Sequence, residues 1–190
     1  MKLVPLLLLS IVGFAQQGFL AQPPYRPLTA GEKAQRAARN LFSPAAVIPV
    51  FLSAGINQAR DSPEEWGQGT EGFGRRVGHA YGRLVLRNSF NLAAHVALRT
   101  DPRYDRCECK GVMPRLGHAV RRTFIVRTDS GGERIHFGNF ASAYATQVIS
   151  NQWMPDRYHN QAHYLRGTGI SIGTNVGWNI LREFVYTRDK

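Results

Sequence analysis

Arg83, Arg87, Asn91, His95 and Arg99 recur at every fourth position near the end of a stretch, Gly72 to Arg99, that contains no Asp or Glu. Side chains four apart share one face of a helix, and Leu84, Val85, Leu92 and Val96 fall around the rest of the circumference. The spacing therefore predicts one long helix, closed by Asp101-Pro102. A chain that must house such a rod is steered toward other helices to pack against it.

The helix-start signals agree. Thr29-Ala30-Gly31-Glu32 has the form of a capping box and predicts a helix to about Asn40. Ser43-Pro44 places a capping residue before a proline at the first helical position, opening a second helix to about Arg60, which Pro49 bends or restarts. Ser62-Pro63-Glu64-Glu65 repeats the device, and Pro114 opens a helix through about Phe124. Residues 135–151 and 160–187 complete the count. The expected fold is mainly α: a single-domain helical bundle over 29–190, with glycine-mediated close packing.

The alternative is an outer-membrane β-structure. Arg122 to Thr128 and Glu133 to Phe140 flank Asp129-Ser130-Gly131-Gly132 in the manner of a hairpin. Ile170, Ile172, Thr174, Val176, Trp178 and Ile180 alternate strictly with small or polar residues. A barrel needs at least about eight such segments, and the chain offers one or two.

Lys2, the apolar run Leu3 to Phe14 and the small residues Ala15 and Ala21 form a signal-peptide pattern over 1–21, cut between 15 and 21. The run is shorter than the roughly 20 residues that span a membrane. An extended, proline-rich segment over 22–28 follows. The expected location is exported, in the periplasm or associated with the outer membrane.

A formal charge of +11, carried almost wholly by Arg, favours anionic partners. Between Arg75 and Arg134 thirteen Lys or Arg face five acids. Arg75, Arg76, Arg83, Arg87, Arg99, Arg121 and Arg122 are the candidate contacts for anionic lipid or cell-wall polymer; nucleic acid is the less suitable partner outside the cell. Cys107 and Cys109 lie one residue apart, where a disulfide would close a strained ring, and read as loop thiols.

Small residues also recur in fours: Gly74, Gly78 and Gly82; Gly169, Gly173 and Gly177; and, more weakly, Gly138, Ser142, Thr146 and Ser150. Such a stripe lets a second helix approach closely, within the bundle or in a homo-oligomer. On that reading a methyl group at Gly78 or Gly173 should destabilise.

Catalytic patterns fail on inspection. Ala93-Ala94-His95, Asp101 and Asp129-Ser130-Gly131-Gly132 mimic fragments of the trypsin family in chain order, yet the span is too short for two β-barrels. His159 and His163 have the spacing of two ligands on a helical turn but lack the glutamate of a zinc hydrolase and a third ligand. Glu64, Glu65 and Glu71 make no placeable carboxylate pair. No cofactor fingerprint is present, and the remaining enzyme reading is a hydrolase around the loops of Trp66 and Trp153.

Gly55-Ile56-Asn57-Gln58-Ala59-Arg60, Glu65-Trp66-Gly67-Gln68-Gly69, Arg127-Thr128-Asp129-Ser130-Gly131 and Arg182-Glu183-Phe184 together resemble a group of short exported bacterial proteins of unknown function. The resemblance implies an envelope setting and no activity. Cys107-Glu108-Cys109 does not match its pattern.

Overall fold

The computed structural model describes residues 25–185. The signal-peptide reading over 1–21 lies outside the described residues, as do residues 22–24 of the proline-rich segment.

Six α-helices follow in order: α1 (Ala30–Leu41), α2 (Pro44–Ala59), α3 (Gly69–Ala97), α4 (Val112–Phe124), α5 (Phe137–Ser150) and α6 (Gln161–Phe184). Helix α3 is the long rod, and α1, α2 and α5 all pack on it. Helix α6 closes the far side, lying on α4 and α5. A short antiparallel hairpin, β1 (Ile125–Arg127) and β2 (Glu133–Ile135), joins α4 to α5, with Val126 opposite Arg134.

Local chemistry explains the boundaries. The capping box at Thr29 forms: its hydroxyl accepts from the Glu32 N–H, and the Glu32 carboxylate accepts from the Thr29 N–H at 2.8 Å. Helix α2 runs unbroken through Pro49. Ser43 does not cap it; its hydroxyl instead donates to the Asn40 carbonyl. The third start signal, at Ser62, yields only a single 3-10 turn over Glu64–Trp66. Helix α4 begins at Val112, before Pro114.

Residues 169–180 are helical, within α6, as the bundle reading expects, with Asn179 and Glu183 on the buried side, and the strand alternative does not hold there. Two sequence expectations need correction. Cys107 and Cys109 are joined in a disulfide rather than standing as free thiols. The glycine stripes are also reassigned. A Cβ added at Gly74, Gly78, Gly169, Gly173 or Gly177 would meet nothing within 4 Å, and at Gly82 only the Trp153 ring at 3.5 Å.

The packing seam is the weaker third set. Gly138, Ser142, Thr146 and Ser150 are all buried along α5, and a Cβ at Gly138 would fall 2.7 Å from the Ala94 Cβ of α3. Close helix approach is thus real, but its small residues are mostly Ser and Thr. Thr146 satisfies its own hydroxyl by donating to the Ser142 carbonyl at 2.6 Å. One prediction therefore reverses sign. With open space around Gly173, Ala there is expected to stabilise the folded chain by up to about 1 kcal/mol through helix propensity alone. A lower denaturation midpoint for Gly173→Ala would reveal a contact from outside the protomer.

The interior is unusual in kind. Five apolar residues are buried among those described, namely Val50, Ala54, Ala119, Val126 and Ala143, against thirteen polar or charged ones. Removing one partner from a buried polar or charged pair in such an interior is costly. Twenty-one large apolar side chains among the described residues are exposed.

Candidate functional site

Between α1, α3 and α6 lies an open cleft of about 940 Å³. Its wall comes from the polar face of α3, where Arg87, Asn91 and His95 point inward as their spacing of four requires, and from Asn139 of α5 and Asn175 and Asn179 of α6. Helix α1 contributes its Lys33 and Arg39 side.

A hydrogen-bonded chain crosses the deep wall. The Arg87 guanidinium donates through Nη2 to the Asn139 Oδ1, which also accepts from the Asn175 Nδ2 at 2.9 Å. Asn139 in turn donates to the Thr123 carbonyl at 3.3 Å, and Asn179 to the Thr123 hydroxyl at 2.9 Å. Four elements, α3, α4, α5 and α6, are thereby tied through neutral amides. Arg87 Nη1 is buried without a partner. Burial, and then the neighbouring Arg83 charge, push the Arg87 guanidinium down to about 10.

Beside this chain the His95 and His136 rings lie 5.5 Å apart between α3 and the start of α5. The His95 Nδ1 is 2.8 Å from the Thr100 hydroxyl. Burial is the main cause that lowers both imidazoles to about 4, aided by Lys33 at His95 and by His95 at His136. In the unfolded chain they protonate near 6.5, so between about 6.5 and 4 the unfolded state binds more protons than the folded one. Their contribution to stability is complete above about pH 6.5 and is lost as the pH falls toward 4. The melting temperature is expected to decline between pH 6.5 and 5, and more shallowly in His95→Gln/His136→Gln. A flat profile in the parent over that range would contradict the burial of these rings.

The edge of the cleft is set by Asp101. Tyr25 donates to it at 2.6 Å and the Arg103 guanidinium at 2.9 Å. Burial opposes ionisation of Asp101, but the hydrogen bonds from Arg103 and Tyr25 prevail and hold it below its usual range. Burial and the bond to Asp101 raise the Tyr25 phenol to about 12. Lys33, 3% exposed, is neutralised by Asp129 at 2.7 Å.

The seven candidate arginines do not form one patch. Arg76 is 2% exposed and turned inward, donating to the carbonyls of Ser62, Pro63 and Gly67 and to the Gln58 side chain, with Asp61 at 3.3 Å. Arg122 is buried between Asp105 and Glu133. These two are internal braces, not surface contacts, because each meets acceptors that only its own fold assembles. Arg75 and Arg121 are on the surface in pairs with Glu71 and Glu133, and Arg99 is exposed in a left-handed turn. Arg83 and Arg87 are adjacent on α3, each partly buried.

The protease-like fragments have separate partners. His95 faces Thr100, Asp101 holds Arg103, and the Ser130 hydroxyl lies 2.9 Å from that of Thr128. His159 precedes α6 and sits against the Asn151 carbonyl, while His163 is in the first turn and packs edge-on to Tyr158. The two therefore do not share a helical turn as their spacing suggested. Among the described residues no group of three His, Cys, Asp or Glu is placed to hold a metal ion. The two tryptophan loops do meet: Trp66 and Trp153 flank His79, whose Nδ1 accepts from the Trp153 indole at 3.0 Å, and Arg157 bridges to Glu65.

Sequence reasoning missed Asn139, Asn175, Asn179 and Glu183 as polar centres. The signal was available as polar residues at i, i+4 and i+8 of α6 (Asn175, Asn179, Glu183), in phase with its apolar positions. No family model, curated protein or solved structure matches the chain.

Proposed function

We propose that the protein is an exported interaction protein of the bacterial envelope that rests on an anionic membrane surface through α2. The observation that carries this reading is the outer face of that helix. Ile48, Phe51, Leu52 and Ile56 follow the i, i+3, i+4, i+8 pattern of one face, all exposed, with Phe42 at 77% and Ile48 at 64%. Exposed apolar patches of this kind mark interaction sites. Arg39 and Arg60, both exposed, bracket the patch at its two ends.

No single helix among the described residues is long and apolar enough to cross a membrane. An apolar face bracketed by Arg suits a helix lying in the interfacial plane, with its side chains in the acyl boundary and the guanidinium groups among head groups. Basic residues near an anionic surface contribute about 1 kcal/mol each, and full burial of a Leu or Phe about 1.5–3 kcal/mol. Both contributions are needed here, since the apolar face is only four residues long. No catalytic role enters this reading.

Vesicle flotation tests it. The full chain is expected to float with phosphatidylglycerol vesicles, weakly with phosphatidylcholine, and less in high salt. Phe51→Asp/Leu52→Asp, at two exposed positions, should abolish flotation while keeping the helical circular dichroism of the parent. Flotation unchanged by the double substitution would remove the α2 assignment.

A further inference from the structure

We propose that the cleft between α1, α3 and α6 binds a phosphate ester on a hydroxylated body, its phosphate seated at Arg87. The first ground is charge. Seven of the cleft-lining residues are Lys or Arg and two are acidic. Both acids are already engaged, Asp101 by Arg103 and Tyr25, Glu32 by the α1 cap and Arg26. Lys33, Arg103 and Arg122 are paired in turn with Asp129, Asp101 and Asp105, but the lining keeps an excess of basic over acidic residues, which favours an anion over a cation.

The second ground is what Arg87 lacks. Lys33, Arg76 and Arg122 each meet a carboxylate: Lys33 has Asp129, Arg76 has Asp61, and Arg122 has Asp105 and Glu133. Arg87 has only the neutral Asn139 oxygen, its Nη1 is unpartnered, and its charged neighbour is Arg83. Buried unpaired charge is costly, and two like charges one turn apart add to the cost. A phosphate beside Arg87 would supply the counter-charge that the fold does not.

The third ground is the rest of the wall. Asn91, Asn175, Ser171 and Thr174 also line the cleft with amides and hydroxyls, together with the Trp178 ring, over which Arg182 lies. Amides and hydroxyls that both donate and accept match the hydroxyls of a polyol or sugar. Two sources carry that chemistry, a soluble phosphate ester and a glycerophospholipid head group.

Isothermal titration of the full chain with sn-glycerol 3-phosphate, with glycerol as control, tests the soluble source; phosphatidylglycerol vesicles test the head group. Arg87-dependent binding in either arm supports the site and identifies its source. Arg87→Gln is expected to weaken binding at least about tenfold, the loss for one charged hydrogen bond. Should that variant fail to fold by circular dichroism, Arg87→Lys keeps the charge without the fork and should still bind more weakly. The α2 double substitution should leave glycerol 3-phosphate binding intact, so failure of the membrane reading and failure of the cleft are separable. Equal heats from glycerol and its phosphate, or no Arg87-dependent binding in either arm, would overturn the proposal.

Discussion

Replacing Arg76 by Met is expected to lower stability by about 3–5 kcal/mol, the range found when one partner of a buried charged network is removed. Its guanidinium, 2% exposed, is the shared donor for the Ser62, Pro63 and Gly67 carbonyls and the Gln58 side chain, all within 2.6–3.0 Å. Met fills similar volume but leaves those acceptors without a donor, and each stranded polar group costs about 1–3 kcal/mol. Lys should rescue little, since one ammonium cannot reach acceptors spread around a planar fork. Gly72→Ala attacks the same cage from the other side. Its Cβ would collide with the Gly67 carbonyl oxygen and come within 2.8 Å of the Trp66 carbonyl oxygen, both backbone atoms that cannot yield cheaply. Urea denaturation followed by circular dichroism measures both variants. An Arg76→Met midpoint within error of the parent would show that the cage is not a source of stability.

The cage also gives a physical content to two sequence segments that stood out without explanation. Gln58 belongs to one and Gly67 with Gln68 to the other. Gln58 and Gln68 exchange amide hydrogen bonds, Gln58 to the Gln68 Oε1 at 2.9 Å and Gln68 to the Gln58 carbonyl at 3.1 Å. Asp129, in the third segment, neutralises the buried Lys33, and Glu183, in the fourth, is fully buried. Each segment thus holds a polar brace of the fold.

What was legible in the sequence follows from the range of the forces involved. The capping box at Thr29, the proline start of α2 and the polar row of α3 are local, written in residues within four positions of each other, and the structure contains all three. The role of Arg76 was not legible, because its acceptors are carbonyls contributed by a loop that only the packed fold brings around it. The glycine stripes misled for a related reason. Spacing alone shows that a groove exists on a helix but not which way it faces, and the grooves of Gly74 and Gly169 face outward. Gly138 faces α3, where its Cβ position lies against Ala94, and the neighbouring Asn139 accepts from Arg87 of the same helix. The cleft itself joins residues as far apart as Lys33 and Asn179, beyond any pattern of spacing.

Glu183→Ala is expected to cost about as much as the loss of Arg76, about 3–5 kcal/mol, for the reason that a buried charged hub is emptied at its centre. The Glu183 carboxylate, with no exposed surface, accepts from the Tyr104 hydroxyl at 2.8 Å and the Cys107 N–H at 3.0 Å, with Arg115 and His118 each 3.5 Å away. Its own carbonyl accepts from Arg106 at 2.8 Å and also from Arg115. One residue in the last turn of α6 thereby fastens α4 and the whole Tyr104–Cys107 segment. Alanine leaves Arg115 without its carboxylate and the phenol and amide without acceptors. Gln keeps an acceptor for the Tyr104 hydroxyl but loses the charge facing Arg115, so a smaller loss, about 1–3 kcal/mol, is expected. Because the hub clamps a loop, the effect should be local as well as global. In hydrogen exchange of the Gln variant, the Cys107 amide should lose protection before the amides in the middle of α3, which do not depend on the clamp. Uniform loss of protection across the chain would argue that Glu183 supports general stability alone, and unchanged protection at Cys107 would contradict the bond to its carboxylate.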